Sequence, residues 1–285
     1  MVPKGRLFII GGKEDKNGTS PEMEKSNDFT PREILKHLAE SPDDRIEIIT
    51  TASKEPESIQ ETYRKTLNEI GYRNFDFLHI CDTEPIHEDF HSKRISQAKT
   101  VFFTGGDQNR ICEIIKDSAI NTLLHEKYMN EKGFTIAGTS AGAMCMPEIV
   151  ICEAENGEAI LDNDIRLTAG LNLINNCIID THFIHRGRFG RLAHAVILNC
   201  NCWGLGLGED TALMIEEGNM ATCKGSGMVL VINAQDVEQT NIDSVKEGDP
   251  IYADNLKVHI LTDGCKIDLE TGKVKGAEKK SESEA

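Results

Sequence analysis

The sequence predicts an α/β protein with a mostly parallel sheet flanked by helices and additional antiparallel strands in its C-terminal part. In the first half of the chain, short apolar stretches rich in β-branched residues alternate with longer amphipathic stretches. Such alternation indicates a parallel sheet with helices on both faces. After about residue 150, short apolar runs are separated mainly by glycine-rich turns, which is the pattern of antiparallel strands.

The first half contains predicted strands and helices in regular alternation. Thr30 would cap the first helix with Pro31 at its first helical position, and Gly71 would close the second. Strands are predicted over 6–12, 45–53, 75–80, 100–106 and 134–137, and helices over 30–40, 56–72, 90–98 and 109–133. In sheets of this kind, sites form at the carboxyl ends of the strands. Gly106 and Ser140 both fall at such ends.

The second half has a mixed pattern without a dividing linker or a repeat of fixed period. It predicts a strand over 176–183, a helix over 188–200, several strands within 203–233 and a hairpin-rich end over 256–274. Residues 1–274 are therefore expected to form one domain. Residues 275–285 are charged and poor in apolar side chains, so a disordered tail is expected there.

The composition excludes several classes of partner. The chain has 285 residues and a formal net charge of −16, which disfavours nucleic acid and anionic membrane surfaces, because both attract basic patches. A cationic substrate would be attracted. No apolar run is long enough to span a bilayer, and no secretory segment is recognisable. The nine cysteines show no metal-site spacing. These features predict a reduced, cytoplasmic protein.

The stretch "FTIAGTSAGAMCM" places Ser140 at the corner between a predicted strand and a predicted helix. A serine with glycine two positions before and after it, here Gly138 and Gly142, is the pattern of a nucleophile elbow. The following helix would aim free N–H groups and its positive dipole end at a developing oxyanion. Because the same pattern also occurs in turns that only pack well, a structural role for Ser140 stays open at this point.

His182 and Glu209 are the residues best placed to act with Ser140. A nucleophilic serine needs a histidine within reach, and the histidine needs an acceptor that orients its ring. His182 lies at the end of "NCIIDTHF", and Glu209 follows "GLGLG". Asp210 is the second choice for the acid. The α/β-hydrolase order of Ser140, Asp210 and His259 is disfavoured, because His259 alternates with apolar residues in a predicted strand.

Basic residues cluster directly after His182 in a chain that is otherwise acidic. The stretch "IHRGRFGRL" carries His185, Arg186, Arg188 and Arg191. Cations are unfavourable at a helix N-terminus, so the cluster predicts an anionic partner, and a substrate carboxylate would suit it. The alternative is a basic helix start that is simply exposed to solvent.

Six stretches, in this order, resemble those of the cyanophycinases: "RLFIIGGKED", "IEIITTASKEPES", "VFFTGGDQNRI", "AGTSAGAMCM", "DTHFIHRGRFGRL" and "GLGEDTALMI". Cyanophycinases belong to a serine peptidase family that also includes the aspartyl dipeptidases of dipeptidase E type. The resemblance implies a flavodoxin-like or class I glutamine amidotransferase-like fold, a homodimer, no cofactor and no metal. It also implies a Ser-His-Glu triad, which here would be Ser140, His182 and Glu209.

The resemblance further implies subsites of both charges, because cyanophycin is a polymer of aspartate whose side-chain carboxylates carry arginine. The family cleaves its aspartyl backbone and releases β-Asp-Arg dipeptides. The resemblance implies a contact of Arg186, Arg188 or Arg191 with a substrate carboxylate. It implies a contact of Asp107 or Asp180 with a substrate arginine, with Gln108 as a further polar contact. The N–H groups of Gly106 and Ala141 would hold the oxyanion. Thr181 stands where the cyanophycinases have glutamine, so a preference for another aspartyl or isoaspartyl peptide stays open.

The sequence therefore predicts a serine exopeptidase of cyanophycinase type. Two alternatives remain, namely an aspartyl or isoaspartyl dipeptidase on the same scaffold and a catalytically silent protein that binds acidic or arginine-rich peptides. A metal hydrolase is disfavoured against a serine peptidase. A class I amidotransferase would need cysteine at the position of Ser140.

Overall fold

The computed structural model describes residues 2–18, 30–81, 88–154 and 165–277. Within these ranges the main sheet has nine strands, in the order β15-β14-β11-β10-β1-β5-β4-β2-β3. Its parallel part consists of β1 (Arg6–Ile10), β2 (Ile46–Ile49), β3 (Phe75–Leu78), β4 (Thr100–Phe103) and β5 (Thr135–Thr139). These are the strands predicted from apolar runs. The almost complete burial of β1, β2, β4 and β5 agrees with a sheet covered on both faces, whereas the edge strand β3 is half-buried.

Six of the helices in the described residues flank this parallel part, and the last one in chain order packs against strands of the second, smaller sheet. The helices are α1 (Glu33–Lys36), α2 (Pro56–Ile70), α3 (Glu88–Gln97), α4 (Gln108–Ile115), α5 (Ala119–Asn130), α6 (Ala141–Met144) and α7 (Phe189–Leu198). The helix predicted over 109–133 is divided, because Ser118 caps the N-terminus of α5 by accepting from the N–H of Asn121. The helix predicted over 30–40 is a single short turn, with Arg32 in the left-handed region at its start.

The antiparallel part continues the main sheet on the other side of β1. Its strands are β10 (Thr211–Glu216), β11 (Met220–Gly225), β14 (Lys266–Asp268) and β15 (Lys273–Lys275). Because β10 runs antiparallel to β1, with Ala212 opposite Ile10, the start of β10 lies at the edge where the parallel strands end. The residues just before β10 are thereby brought to the same edge as Ser140.

A second, smaller sheet in the described residues has the order β13-β12-β9-β8. It is built from β8 (Cys177–Asp180), β9 (Trp203–Leu207), β12 (Val229–Asn233) and β13 (Lys257–Leu261). A hairpin of β6 (Ile149–Ala154) and β7 (Ile165–Ala169) forms a separate two-stranded sheet, and β6 contacts β8. The sequence prediction contains neither strand of this hairpin. The predicted antiparallel C-terminal part is confirmed.

Two apolar cores lie on the two faces of the main sheet. Leu7 and Ile9 contribute to one core, whereas Phe8 and Ile10 contribute to the other, as the alternation of side chains along a strand requires. All four are fully buried, and burial of each such side chain stabilises the fold by roughly 1.5–3 kcal/mol. The strand ends that carry the candidate site are therefore fixed by packing on both sides.

The predicted α/β class is confirmed, and the expectation of one domain over 1–274 stays a prediction. β15 extends to Lys275 and residues 278–285 lie outside the described residues, so the disordered tail expected over 275–285 stays a prediction. No helix among the described residues is long and apolar enough to cross a membrane.

Candidate active site

Ser140 occupies a sharp turn between β5 and α6. Its backbone has φ 53° and ψ −118°, which a residue with a side chain rarely adopts. The flanking glycines are required by close contacts. A Cβ atom on Gly138 would lie 2.1 Å from the carbonyl oxygen of Gly142, and one on Gly142 would lie 2.2 Å from the carbonyl oxygen of Phe103. The turn therefore presents the serine at the carboxyl end of the sheet.

Ser140, His182 and Glu209 form a continuous line of hydrogen bonds. The distance from Ser140 Oγ to His182 Nε2 is 2.9 Å, and the distance from His182 Nδ1 to Glu209 Oε1 is 2.7 Å. His182 lies two residues after the end of β8, with Thr181 between them, and Glu209 lies between β9 and β10. His182 and Glu209 are 6% and 7% exposed. The structure thus brings together the three residues that the sequence selected.

The alternatives for the acid and the base have other partners. Asp210 Oδ1 accepts from the backbone N–H of Asp15 at 2.8 Å, and its Oδ2 accepts from the hydroxyl of Ser226 at 2.7 Å. His259 pairs with Val231 within the smaller sheet. Asp210 therefore supports the loop backbone, while Glu209 meets the imidazole.

Electrostatics at the site favour a neutral imidazole next to an ionised carboxylate. Burial lowers the pKa of His182 below its ordinary value, although the hydrogen bond to Glu209 opposes this. Burial acts to raise the pKa of Glu209, but hydrogen bonds from His182 and Lys13 outweigh it, so that this pKa is lowered. With Glu209 accepting the proton of Nδ1, the Nε2 atom faces Ser140 as an acceptor. This is the arrangement that a general base needs.

The turn at Gly105 and Gly106 borders the serine. A Cβ atom on Gly105 would lie 3.8 Å from Ser140 Oγ, and one on Gly106 (φ 146°) would lie 2.1 Å from the carbonyl oxygen of Ala52. Ala141 begins α6 directly after the serine. Over the described residues, the backbone N–H groups of Gly106 and Ala141 meet no acceptor. Both remain candidate donors to an oxyanion.

Gly12 and Lys13 belong to the site, and the sequence interpretation did not assign them. A Cβ atom on Gly12 (φ 97°) would lie 2.5 Å from His182 Nε2, so the ring fills the space that the glycine leaves. Lys13 Nζ lies 3.1 Å from Glu209 Oε2. The available signal was the glycine pair that ends the first strand, which matches the pair that ends β4.

The predicted role of Asp180 as a substrate contact is corrected by its surroundings. Its side chain is fully buried, and its carboxylate accepts hydrogen bonds from Arg188 and from both Nε and Nη2 of Arg191. Arg188 also donates to the carbonyl oxygen of Thr181 at 2.7 Å. Arg188 and Arg191 thus share the single carboxylate of Asp180, and the carboxylate contacts expected for them stay predictions. Arg186, in contrast, is exposed.

The remaining substrate candidates make internal contacts. Asp107 caps α4 by accepting from the N–H of Asn109 at 2.9 Å. Gln108 Nε2 donates to the carbonyl oxygens of Ile151 and Cys152 of β6. Thr181 is fully buried, and its hydroxyl has no hydrogen-bond partner within the described structure. In the same ranges, no group of three or more His, Cys, Asp or Glu side chains could hold a metal ion.

Comparison with known proteins identifies the family. The model of "Peptidase family S51" matches residues 18–223. The chain belongs to peptidase family S51. A cyanophycinase of Synechococcus elongatus is 30% identical over 274 residues, covering 95% of this chain and 81% of the relative. One of Nostoc sp. strain PCC 7120 is 31% identical over 272 residues, covering 94% and 87%. The predicted serine-type peptidase of cyanophycinase-like sequence is thereby confirmed.

Solved structures confirm the fold. A peptidase from an acI-B1 Actinobacterium superimposes with a TM-score of 0.62 at 19% identity, covering 93% of this chain and 97% of that structure. A putative peptidase E protein from Listeria monocytogenes EGD-e gives a TM-score of 0.52 at 16% identity, covering 79% and 99%. At these identities the likeness concerns the architecture alone.

Proposed function

We propose that this S51 peptidase hydrolyses the aspartyl backbone of cyanophycin as an exopeptidase that releases β-Asp-Arg dipeptides, with Ser140, His182 and Glu209 as its catalytic triad. The supporting observation is the line of hydrogen bonds from Ser140 Oγ through both ring nitrogens of His182 to Glu209. The similarity to curated cyanophycinases over nearly the whole chain supports the substrate.

The reaction proceeds by acyl transfer through Ser140. Its Oγ attacks the scissile carbonyl carbon while His182 Nε2 takes the hydroxyl proton, and the ionised Glu209 stabilises the resulting imidazolium. The imidazolium gives this proton to the leaving amine as the C–N bond breaks, which leaves an ester on Ser140. A water molecule, deprotonated by His182, then attacks the ester. The acid product leaves, and the hydroxyl of Ser140 is restored.

The tetrahedral intermediates carry a negative charge on the former carbonyl oxygen. The N–H groups of Gly106 and Ala141 are proposed to hold this oxyanion, because they flank Ser140 and meet no acceptor in the described structure. Donors fixed in advance stabilise such a charge without reorganisation, and each contributes about 2.7–4 kcal/mol to the lowering of the barrier.

Substrate recognition is proposed to use the charges that remain accessible. Arg186 is exposed four residues after His182, and its guanidinium suits a carboxylate. Asp107 is half-buried at the turn next to Ser140 and suits a substrate arginine, and Gln108 beside it is retained as a polar contact. The net charge of −16 attracts an arginine-rich polymer over longer distances. Asp180, Arg188 and Arg191 instead stabilise the loop that carries His182.

An aspartyl or isoaspartyl dipeptidase is the second candidate function, and Thr181 is the observation that favours it. The resemblance expects the longer glutamine at this position. The threonine side chain is fully buried beside His182. Because it is shorter than glutamine, it extends less far towards a bound substrate. The catalytic steps are the same for both substrates.

The enzyme is further proposed to act as a cytoplasmic homodimer. All nine cysteines lie in the described residues and none is in a disulfide, as a reducing compartment requires. The dimer rests on the family resemblance. Size-exclusion chromatography with light scattering tests it, and a molecular mass of one chain would contradict it.

Digestion of insoluble cyanophycin granules tests the proposed function, with Ser140→Ala as the control and mass spectrometry of the soluble products. Release of β-Asp-Arg by the wild type alone is expected. Intact granules together with cleavage of short aspartyl or isoaspartyl peptides would assign the second function. Inertness towards all of these substrates would contradict both.

A further inference from the structure

The loop that follows β1 contacts each of the three loops that carry the proposed triad. Three consecutive carbonyl oxygens, of the last residue of β1 and the first two of this loop, accept hydrogen bonds from backbone N–H groups. The N···O distances are 3.0 Å for Ile10 from Ser140, 2.9 Å for Gly11 from His182, and 3.0 Å for Gly12 from Asp210, the residue after Glu209. These elements come from distant parts of the chain and from two different sheets. The backbone of residues 10–12 therefore fixes the positions of these three loops relative to one another.

Glu14 fastens the same loop to the nucleophile elbow. Its side chain is buried, and its Oε2 accepts from the hydroxyl of Thr139, the residue before Ser140, at 2.6 Å. Its Oε1 accepts from the hydroxyl of Tyr63, and Lys16 Nζ lies 2.9 Å from the same oxygen. Although burial acts to raise the pKa of Glu14, Lys16 and the two hydroxyl donors outweigh it, so that the pKa is lowered.

A buried carboxylate at this place calls for a reason beyond packing. Desolvation of a carboxylate costs several kcal/mol, and an apolar side chain of similar volume would often stabilise the fold as well. The backbone of Ser140 is held in a strained conformation, and such strain, about 1–3 kcal/mol for a residue, persists only where the surroundings determine the conformation. The hydrogen bond from Thr139 to Glu14 restrains the residue that directly precedes that turn.

We propose that Glu14 is a positioning residue for Ser140. Its hydrogen bond to Thr139 holds the strained turn at Ser140 in a fixed position relative to His182 and Glu209, whose loops are bonded to the same segment after β1. The proposal rests on the proposed function, because it assigns Ser140 the role of nucleophile. The carboxylate of Glu14 hydrogen-bonds to Thr139, whereas Ser140 Oγ hydrogen-bonds to His182, so Glu14 is assigned no step of the reaction.

Substitution of Thr139 tests the proposal without burying a new charge. Thr139→Val keeps the shape and removes the hydroxyl, whereas Thr139→Ser keeps the hydroxyl. Thr100→Val is the matched control. Thr100 is equally buried and donates to the carbonyl oxygen of Leu38, also at 2.6 Å, but it lies at the opposite end of the parallel strands. Both valine variants should lose similar stability.

Thr139→Val should lower kcat by about 10- to 100-fold, as misplacement of a reacting group does, with little change in KM. Thr139→Ser and Thr100→Val should keep kcat near that of the wild type. Glu14→Leu removes the acceptor of the Thr139 hydroxyl and should behave like Thr139→Val, and the double variant should lower kcat no further than either single one, because both changes remove the same restraint.

Two contradicting outcomes are distinguishable. If Thr139→Val loses thermal stability like Thr100→Val but keeps the wild-type kcat, Glu14 is only structural and the proposal is wrong, while the proposed function stands. If the wild type neither cleaves substrate nor reacts with a serine-directed fluorophosphonate, the proposed function fails and takes the positioning role with it.

Discussion

Replacing Gly12 by alanine would place a methyl group 2.5 Å from both Cε1 and Nε2 of His182. Ordinary van der Waals contact begins at 3.4 Å, so the imidazole would have to move by about 0.9 Å or the loop would have to shift by a similar distance. Nε2 is the atom that faces Ser140 Oγ at 2.9 Å. A displacement of this size breaks the hydrogen bond, or distorts it severely.

The expected consequence is a loss of kcat/KM on the order of 100-fold, which is what a misplacement of about 1 Å costs at a catalytic group. The assay is steady-state hydrolysis of the substrate found active on the wild type, together with a thermal melt. Gly71→Ala is the matched control. Gly71 has φ 108° against 97° for Gly12, and a Cβ atom there would meet nothing within 4 Å.

Both variants place alanine in the left-handed region, so both should lose about 1–2 kcal/mol of stability. Only Gly12→Ala should lose activity. If Gly12→Ala retains wild-type kcat/KM, or if Gly71→Ala loses as much activity, the contact between Gly12 and the His182 ring does not determine the geometry of the base.

Four further outcomes are expected. Glu209→Gln should lower kcat by on the order of 10³–10⁴, because the wrong imidazole tautomer is stabilised. Asp210→Asn should leave the orientation of the imidazole ring intact. Steady-state kinetics that show an equal loss of kcat in both variants would contradict the assignment of Glu209. The acidic limb of kcat/KM should lie below pH 6.5, because burial lowers the pKa of His182 and activity is lost only as pH falls through that pKa. In Arg186→Gln the limb should move to higher pH at low salt, because Arg186 lowers the pKa of His182, and a pH profile that stays in place would refute the coupling. Asp180→Asn should destabilise the fold by about 3–5 kcal/mol, because it leaves buried guanidinium groups unpaired; an unchanged midpoint in urea unfolding would show that these pairs contribute little.

Most of the fold could be predicted, because buried parallel strands leave an unambiguous pattern of short apolar runs between amphipathic stretches. The hairpin of β6 and β7 was not predicted, since polar and charged residues occur within "IVICEA" and "IRLTA" and a polar stretch separates them. The division between α4 and α5 depends on one capping serine, Ser118. It was not predicted, because the residues on both sides of this serine have a helical composition.

The candidate site was predictable where chemistry and chain position agreed. Ser140, His182 and Glu209 each stand at the end of an element, so residue type and position select the same residues. The role of Asp180 was not predictable, because the sequence shows a carboxylate near three arginines without showing which charges neutralise one another. Gly12 and Lys13 were missed for a related reason. Their partners, His182 and Glu209, lie far away along the chain.

Reaction with a fluorophosphonate, followed by intact-mass measurement and peptide mapping, tests the central claim most directly. The expected result is one phosphonyl group per chain on Ser140, with labelling abolished in Ser140→Ala and strongly slowed in His182→Ala. Labelling at another residue, or equally fast labelling of Ser140 without His182, would contradict the assignment of Ser140 as a nucleophile activated by His182.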